Sequence, residues 1–67
     1  MNIKYTTDGL DFHFVIFSSR KRKMTEIFYA TTKTKVVEKL IDWLKKNLSD
    51  VPLNRFKFTE HQININS

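Results

Sequence analysis

Residues 3 to 17 read IKYTTDGLDFHFVIF, and the way this stretch doubles back decides the fold. Asp8-Gly9 between alternating apolar residues is the signature of a two-residue hairpin turn with positive φ at both central positions. In that register Tyr5 faces Phe12 and Ile3 faces Phe14, while Thr7 lies opposite Leu10, Lys4 opposite His13 and Thr6 opposite Asp11. Apolar meets apolar and polar meets polar, and a one-residue slip destroys the sorting.

Working outward, a second strand is expected from about Leu10 to Ser19, and its far half, FVIF, is apolar on both faces, as in a central strand. Arg20 to Lys23 then form a four-residue loop, and a third strand runs from Met24 to Thr31. This loop length pairs Ile16 with Ile27, Phe14 with Tyr29 and Val15 with Phe28, whereas one residue more or fewer sets Ile16 against Glu26. Together the two turns direct Ile3, Tyr5, Phe12, Phe14, Ile16, Ile27 and Tyr29 toward the helix that follows. Val15, Phe17 and Phe28 fall on the opposite face, where they read as a dimer seam or a partner-binding patch.

TKVVEKLIDWLKKNLSD has helical spacing. Val37, Leu40, Ile41, Leu44 and Leu48 make one stripe, flanked by Val36 and Trp43. Thr34 is the expected N-cap, and Ser49-Asp50-Val51-Pro52 ends the helix. A last strand is expected from about Leu53 to Thr59, with a bulge or break near His61, or a short separate strand, where the apolar parity passes to Ile63 and Ile65. The helix is thus a crossover to a strand parallel to the third, paired either with strand one (order 4-1-2-3) or with strand three. The fold class is α+β, a single domain over residues 1–67: an antiparallel three-stranded meander, one amphipathic helix on one face, then a C-terminal strand.

Sixty-seven residues lie near the limit at which a chain buries only ~60% of its unfolded surface. With no cysteine, and two isolated histidines, neither a disulfide nor a metal site is expected. The core must come from six Phe, two Tyr and one Trp, or from a second copy of the chain, which keeps a homodimer in view. The longest apolar run is Phe14 to Phe17 and the N-terminus lacks a signal-peptide layout, so a cytoplasmic protein without a membrane partner is expected. Abundant Lys, Ile and Asn beside a single Gly hint at an AT-rich coding genome, as in phages and mobile elements.

Twelve basic against seven acidic residues give a net charge of +5 and a pI near 9.8, which favours anionic partners. The densest cluster is Arg20, Lys21, Arg22 and Lys23; it reads as a set of phosphate contacts or as a charged loop that keeps two apolar strands in solution. Lys4, Arg55 and Lys57 are expected in support. RFKF interleaves Phe56 and Phe58 with cations, but alternation sends the rings and the charges to opposite faces. No nucleophile with an activating base, carboxylate pair or glycine-rich phosphate loop is recognisable, so neither an enzyme nor a cofactor is expected.

Three strands followed by FYATTKTKVVEKLIDWL give residues 10 to 48 an element order similar to that of the arm-site DNA-binding domains of tyrosine recombinases and of the plant AP2 domain. To that order this chain adds an N-terminal and a C-terminal strand. The resemblance implies a sheet laid in the major groove of DNA. Two functional readings follow: a small nucleic-acid-binding or regulatory protein, or a protein-binding or inhibitor module, dimeric through Val15, Phe17 and Phe28, whose basic surface meets an acidic partner.

Overall fold

The computed structural model describes residues 1–63. Three strands, β1 (Asn2–Thr7), β2 (His13–Ser19) and β3 (Met24–Ala30), form the antiparallel meander. Helix α1 (Lys33–Asn47) follows, then a short 3-10 turn (Leu53–Arg55), then β4 (Lys57–Gln62). The sheet order is β3-β2-β1-β4, with β4 parallel to β1, so the crossover passes beneath β2 and β1 and the pairing left open by the sequence goes to strand one.

The second turn forms as read. Ser19 pairs with Met24 around Arg20–Lys23, and Val15 faces Phe28, Ile16 faces Ile27 and Phe14 faces Tyr29. The first turn does not. Residues 8–12 make a five-residue connection, so that Tyr5 pairs with Val15, Ile3 with Phe17 and Thr7 with His13. Asp8 organises this connection, its Oδ1 accepting from the backbone N–H of Leu10 at 2.9 Å and of Phe12 at 3.1 Å. Gly9, at φ +86°, donates its N–H to Thr7 Oγ1 at 2.9 Å. An Asp side chain that satisfies two loop amides offers the backbone an alternative to the tight turn.

Three extra loop residues shift the pairing by an odd number and exchange the two faces of β2 and β3. Burial therefore alternates in the opposite sense to expectation: Ile3, Tyr5, Val15, Phe17 and Ala30 are buried, while Phe14 and Ile16 are half-buried and Ile27 and Tyr29 exposed on the far side. Phe12 also lies on the far side, its ring stacked on that of Phe14 at 5.9 Å.

The helix completes the core with Val36 and Leu40, and Leu48 follows at its cap. Ile41, expected in the apolar stripe, is 43% exposed, because the buried line is rotated toward Val36 and Trp43. Trp43 sets its indole 5.1 Å from Phe17 and edge-on to Phe28 at 6.0 Å, tilted contacts of the kind aromatic quadrupoles favour. Phe56 closes the other side of Phe17 at 6.3 Å. The N-cap is Thr32 rather than Thr34: its extended backbone lets Oγ1 accept from Lys35 N–H at 3.2 Å, two residues earlier than the apolar periodicity implies.

The helix packs across β2 and β3. It reaches the far edge through Lys33, whose Nζ meets Glu60 Oε1 at 3.1 Å and lies 5.0 Å from the centre of the Tyr5 ring. Every residue of β4 is exposed. The strand begins later than expected, after the 3-10 turn, and runs through His61 without a bulge, with Ile63 N–H still donating to Thr7 O at 2.8 Å. Ile65 lies outside the described residues.

Candidate functional site

The register defines the sheet surface turned away from the helix. Across β3, β2, β1 and β4 it reads Thr25, Ser18, Asn2, Lys57 in one row, then Ile27, Ile16, Lys4, Thr59, then Tyr29, Phe14, Thr6, His61. None of these side chains is buried. Beyond Thr25 and Ser18 at the loop end, the β3 and β2 half is apolar, with Ile27 59% and Tyr29 55% exposed, and Phe12 extends it beyond Phe14. The β1 and β4 half is polar and cationic.

None of the seven acids occupies a strand position on this face. Glu26 and Glu60 share the parity of buried Phe17 and Tyr5 and point to the helix side, Glu38 and Asp42 lie on α1, Asp50 follows it, and Asp8 and Asp11 sit in the first connection. Alternation along the strands has sorted the charge: carboxylates are kept from one side of the sheet, and Lys4 and Lys57 remain there without a counter-charge on the same face.

The face ends at the Arg20–Lys23 loop. Arg20, Lys21 and Arg22 line a groove of about 630 Å³ together with Asp50, Val51, Pro52, Asn54 and Arg55. Arg55 thus joins the loop cations from the 3-10 turn, not from β4 as the sequence implied. Asp50 is the one carboxylate on the groove wall. Lys23 is absent from the lining; it takes φ 50°, and its N–H donates to Arg20 O at 3.3 Å to close the loop. Asn2 lines the groove and pairs with Lys57, which carries the cationic end onto the sheet. Of the seven cations singled out in the sequence, Arg20, Lys21, Arg22 and Arg55 share the groove, while Lys57 and Lys4 continue from it along the outer face.

The expected protein interface is corrected. Val15 and Phe17 are fully buried beneath the helix, and Phe28 is half-buried against Trp43, because the longer first connection turned them inward. The residues left outside in exchange are Phe14, Ile16, Ile27 and Tyr29. His13, expected beside Lys4 on the outer face, is also inside. Its Nε2 lies 3.1 Å from Leu10 O, which only accepts, so in the neutral imidazole Nε2 carries the proton and Nδ1 accepts from Tyr5 Oη at 2.8 Å. That pair ties the first connection to the core.

Length matching along β2 carries the signal that reveals the outer face. A two-residue turn sets Ile16 opposite Met1 and leaves Phe17 to Ser19 with no partner on β1, whereas the five-residue connection pairs β2 through Ser18 with Asn2.

Near the first connection, the hydrogen bond from Leu10 N–H, supported by that from Phe12, holds the Asp8 carboxyl below its ordinary value. Among the described residues no group of three or more His, Cys, Asp or Glu is placed to hold a metal ion, and no helix is long and apolar enough to cross a membrane. Comparison of the chain with protein-family models, with curated proteins and with solved structures gave no match.

Proposed function

We propose that this protein binds nucleic acid without catalysing a reaction on it, contacting phosphates through Arg20, Lys21 and Arg22 with Arg55, and continuing along Lys57 and Lys4 on the open sheet face. The observation that carries this reading is the charge segregation: a sheet surface free of carboxylates leads into a groove lined by four of the chain's cations, with Asp50 as the one acid there. Each cation that neutralises a phosphate releases condensed counterions, so binding of this kind weakens steeply with salt.

The test is fluorescence anisotropy on labelled oligonucleotides over a range of salt concentrations, comparing the wild type with the triple variant Arg20→Ser, Lys21→Ser, Arg22→Ser. The plot of log K against log salt flattens by roughly 2 to 3, the value for three lost phosphate contacts. An unchanged slope removes the loop from the account.

A second reading is favoured by the exposed cluster of Ile16, Ile27, Phe14 and Tyr29, which suits a protein surface as well. Here the chain docks on an acidic partner or on its own copy through the outer sheet face. It predicts salt-sensitive protein association with no retention on nucleic acid.

A further inference from the structure

Resting on the nucleic-acid reading, we infer that the ligand is single-stranded: unpaired bases stack on Tyr29 and Phe14, and the backbone follows Lys4 and Lys57 toward the Arg20–Lys23 loop. Beyond its first row of Thr25 and Ser18, the outer face is divided lengthwise into an apolar half on β3 and β2 and a polar half on β1 and β4 that carries Lys4 and Lys57. A strand of nucleic acid with its bases turned out has the same division, a flat apolar base on one side and a charged phosphate on the other. Neighbouring strands lie about 4.8 Å apart, so the aromatic pair and the Lys4 column are within the reach of one nucleotide.

The rings are braced before any ligand arrives. Phe12 stacks on Phe14 at 5.9 Å with 16° between the planes, and Tyr29 leans on Phe12 at 6.3 Å and 57°. Tyr29 remains 55% exposed despite that contact, so a ring face is available at little cost in ordering. Aromatic platforms on sheets recognise unpaired bases in this way, typically two or three at a time.

A duplex presents base edges and hides base faces. Reading edges takes side chains that donate or accept hydrogen bonds, and among Ile27, Ile16, Tyr29 and Phe14 the Tyr29 hydroxyl is the one such group, those of Lys4, Thr6, Thr59 and His61 lying on the β1 and β4 half. A second copy of the chain fits less well. Docked face to face, it brings Lys4 and Lys57 onto a surface with no carboxylate to meet them.

The experiment measures anisotropy with mixed-sequence DNA and RNA 10-mers, single-stranded and as duplexes, for the wild type, Tyr29→Ser and Tyr29→Leu. Tyr29→Leu keeps an apolar side chain on the strand while removing the ring, and circular dichroism checks the fold of both variants. Single strands are expected to bind at least tenfold tighter than duplexes. Loss of the ring weakens single-strand binding about 5- to 150-fold with the salt slope retained, because no phosphate contact is lost. In the wild type, the Ile16 and Ile27 methyl resonances shift when a single strand is added.

Duplex binding as tight as single-strand binding, or unchanged affinity in both Tyr29 variants, overturns the inference while leaving the nucleic-acid reading in place if the loop variant still loses affinity. Absence of binding to every oligonucleotide overturns both. A dimer in sedimentation that shifts the same Ile methyls without nucleic acid also overturns the inference, in favour of a second copy on this face.

Discussion

Val15 and Ile27 exchange places between the two possible readings of the first connection, which makes them the sharpest test of the fold. Val15 is fully buried between the sheet and α1, and Ile27 is 59% exposed on the far side. Val15→Ala deletes two methyl-sized groups at about 0.8 kcal/mol each, and the unfilled space brings the cost to about 2 kcal/mol. Ile27→Thr keeps the β-branch on an exposed strand position and should cost at most about 0.5 kcal/mol. A chain of this size has a total stability of roughly 3 to 10 kcal/mol, so both variants remain foldable enough to measure. Urea denaturation followed by far-ultraviolet circular dichroism gives the difference as a shift in midpoint at constant slope. In a thermal scan Val15→Ala should melt about 8 to 16 °C below the wild type. A tight two-residue turn places Ile27 inside and Val15 outside, and so reverses the ranking. If Ile27→Thr proves as damaging as Val15→Ala, the five-residue connection is wrong, and the division of the outer face goes with it.

Three further outcomes are expected. Thr32→Ala should remove the bond to Lys35 N–H and lower stability by about 1 kcal/mol, whereas Thr34→Ala, one residue inside the helix, should leave the urea midpoint nearly unchanged. Lys23→Gly should raise the melting temperature, since a residue with a Cβ at φ 50° carries roughly 1 kcal/mol of strain that glycine lacks; a lower melting temperature contradicts the loop geometry. The Asp8 carboxyl is held below its ordinary value by Leu10 N–H, so its contribution to stability is complete above the unfolded pKa and is lost as pH falls through the folded one; stability measured from about pH 5 down to pH 2 should show this loss in the wild type and lack it in Asp8→Asn.

Much of the architecture is legible in the residues. The Arg20–Lys23 loop length is dictated by the penalty of placing Glu26 against Ile16, and the β2 to β3 register follows directly from it. The helix announces itself through its 3.6-residue periodicity and the Pro52 stop, although the side it buries is rotated from the stripe that hydrophobicity alone selects. The first connection is not legible from side-chain sorting, because FVIF and IFY are apolar at both parities. Phe14 and Ile16 fill a core as readily as Val15 and Phe17, and like pairs with like in either register. What selects the native register is a carboxylate caring for two loop amides and a strand seeking partners along its whole length, neither of which appears in an alternation pattern. The same gap misplaced the candidate surface. Lys4 and Lys57 face outward as expected because β1 keeps its parity in both registers and β4 pairs with β1, whereas the aromatic half of that surface depends entirely on the turn.

The parallel ladder between β1 and β4 joins the two most distant parts of the described chain, Asn2 meeting Lys57 and Thr7 meeting Gln62. Closing so long a loop costs entropy before any contact is gained, and β4 recovers it through one neighbour and little cover from the helix. It should therefore add to the structure last and detach first, as a unit of its own. Amides of β4 should exchange with deuterium well ahead of those in β2, which is held on both sides, so the cationic margin of the outer face opens while the aromatic half stays formed.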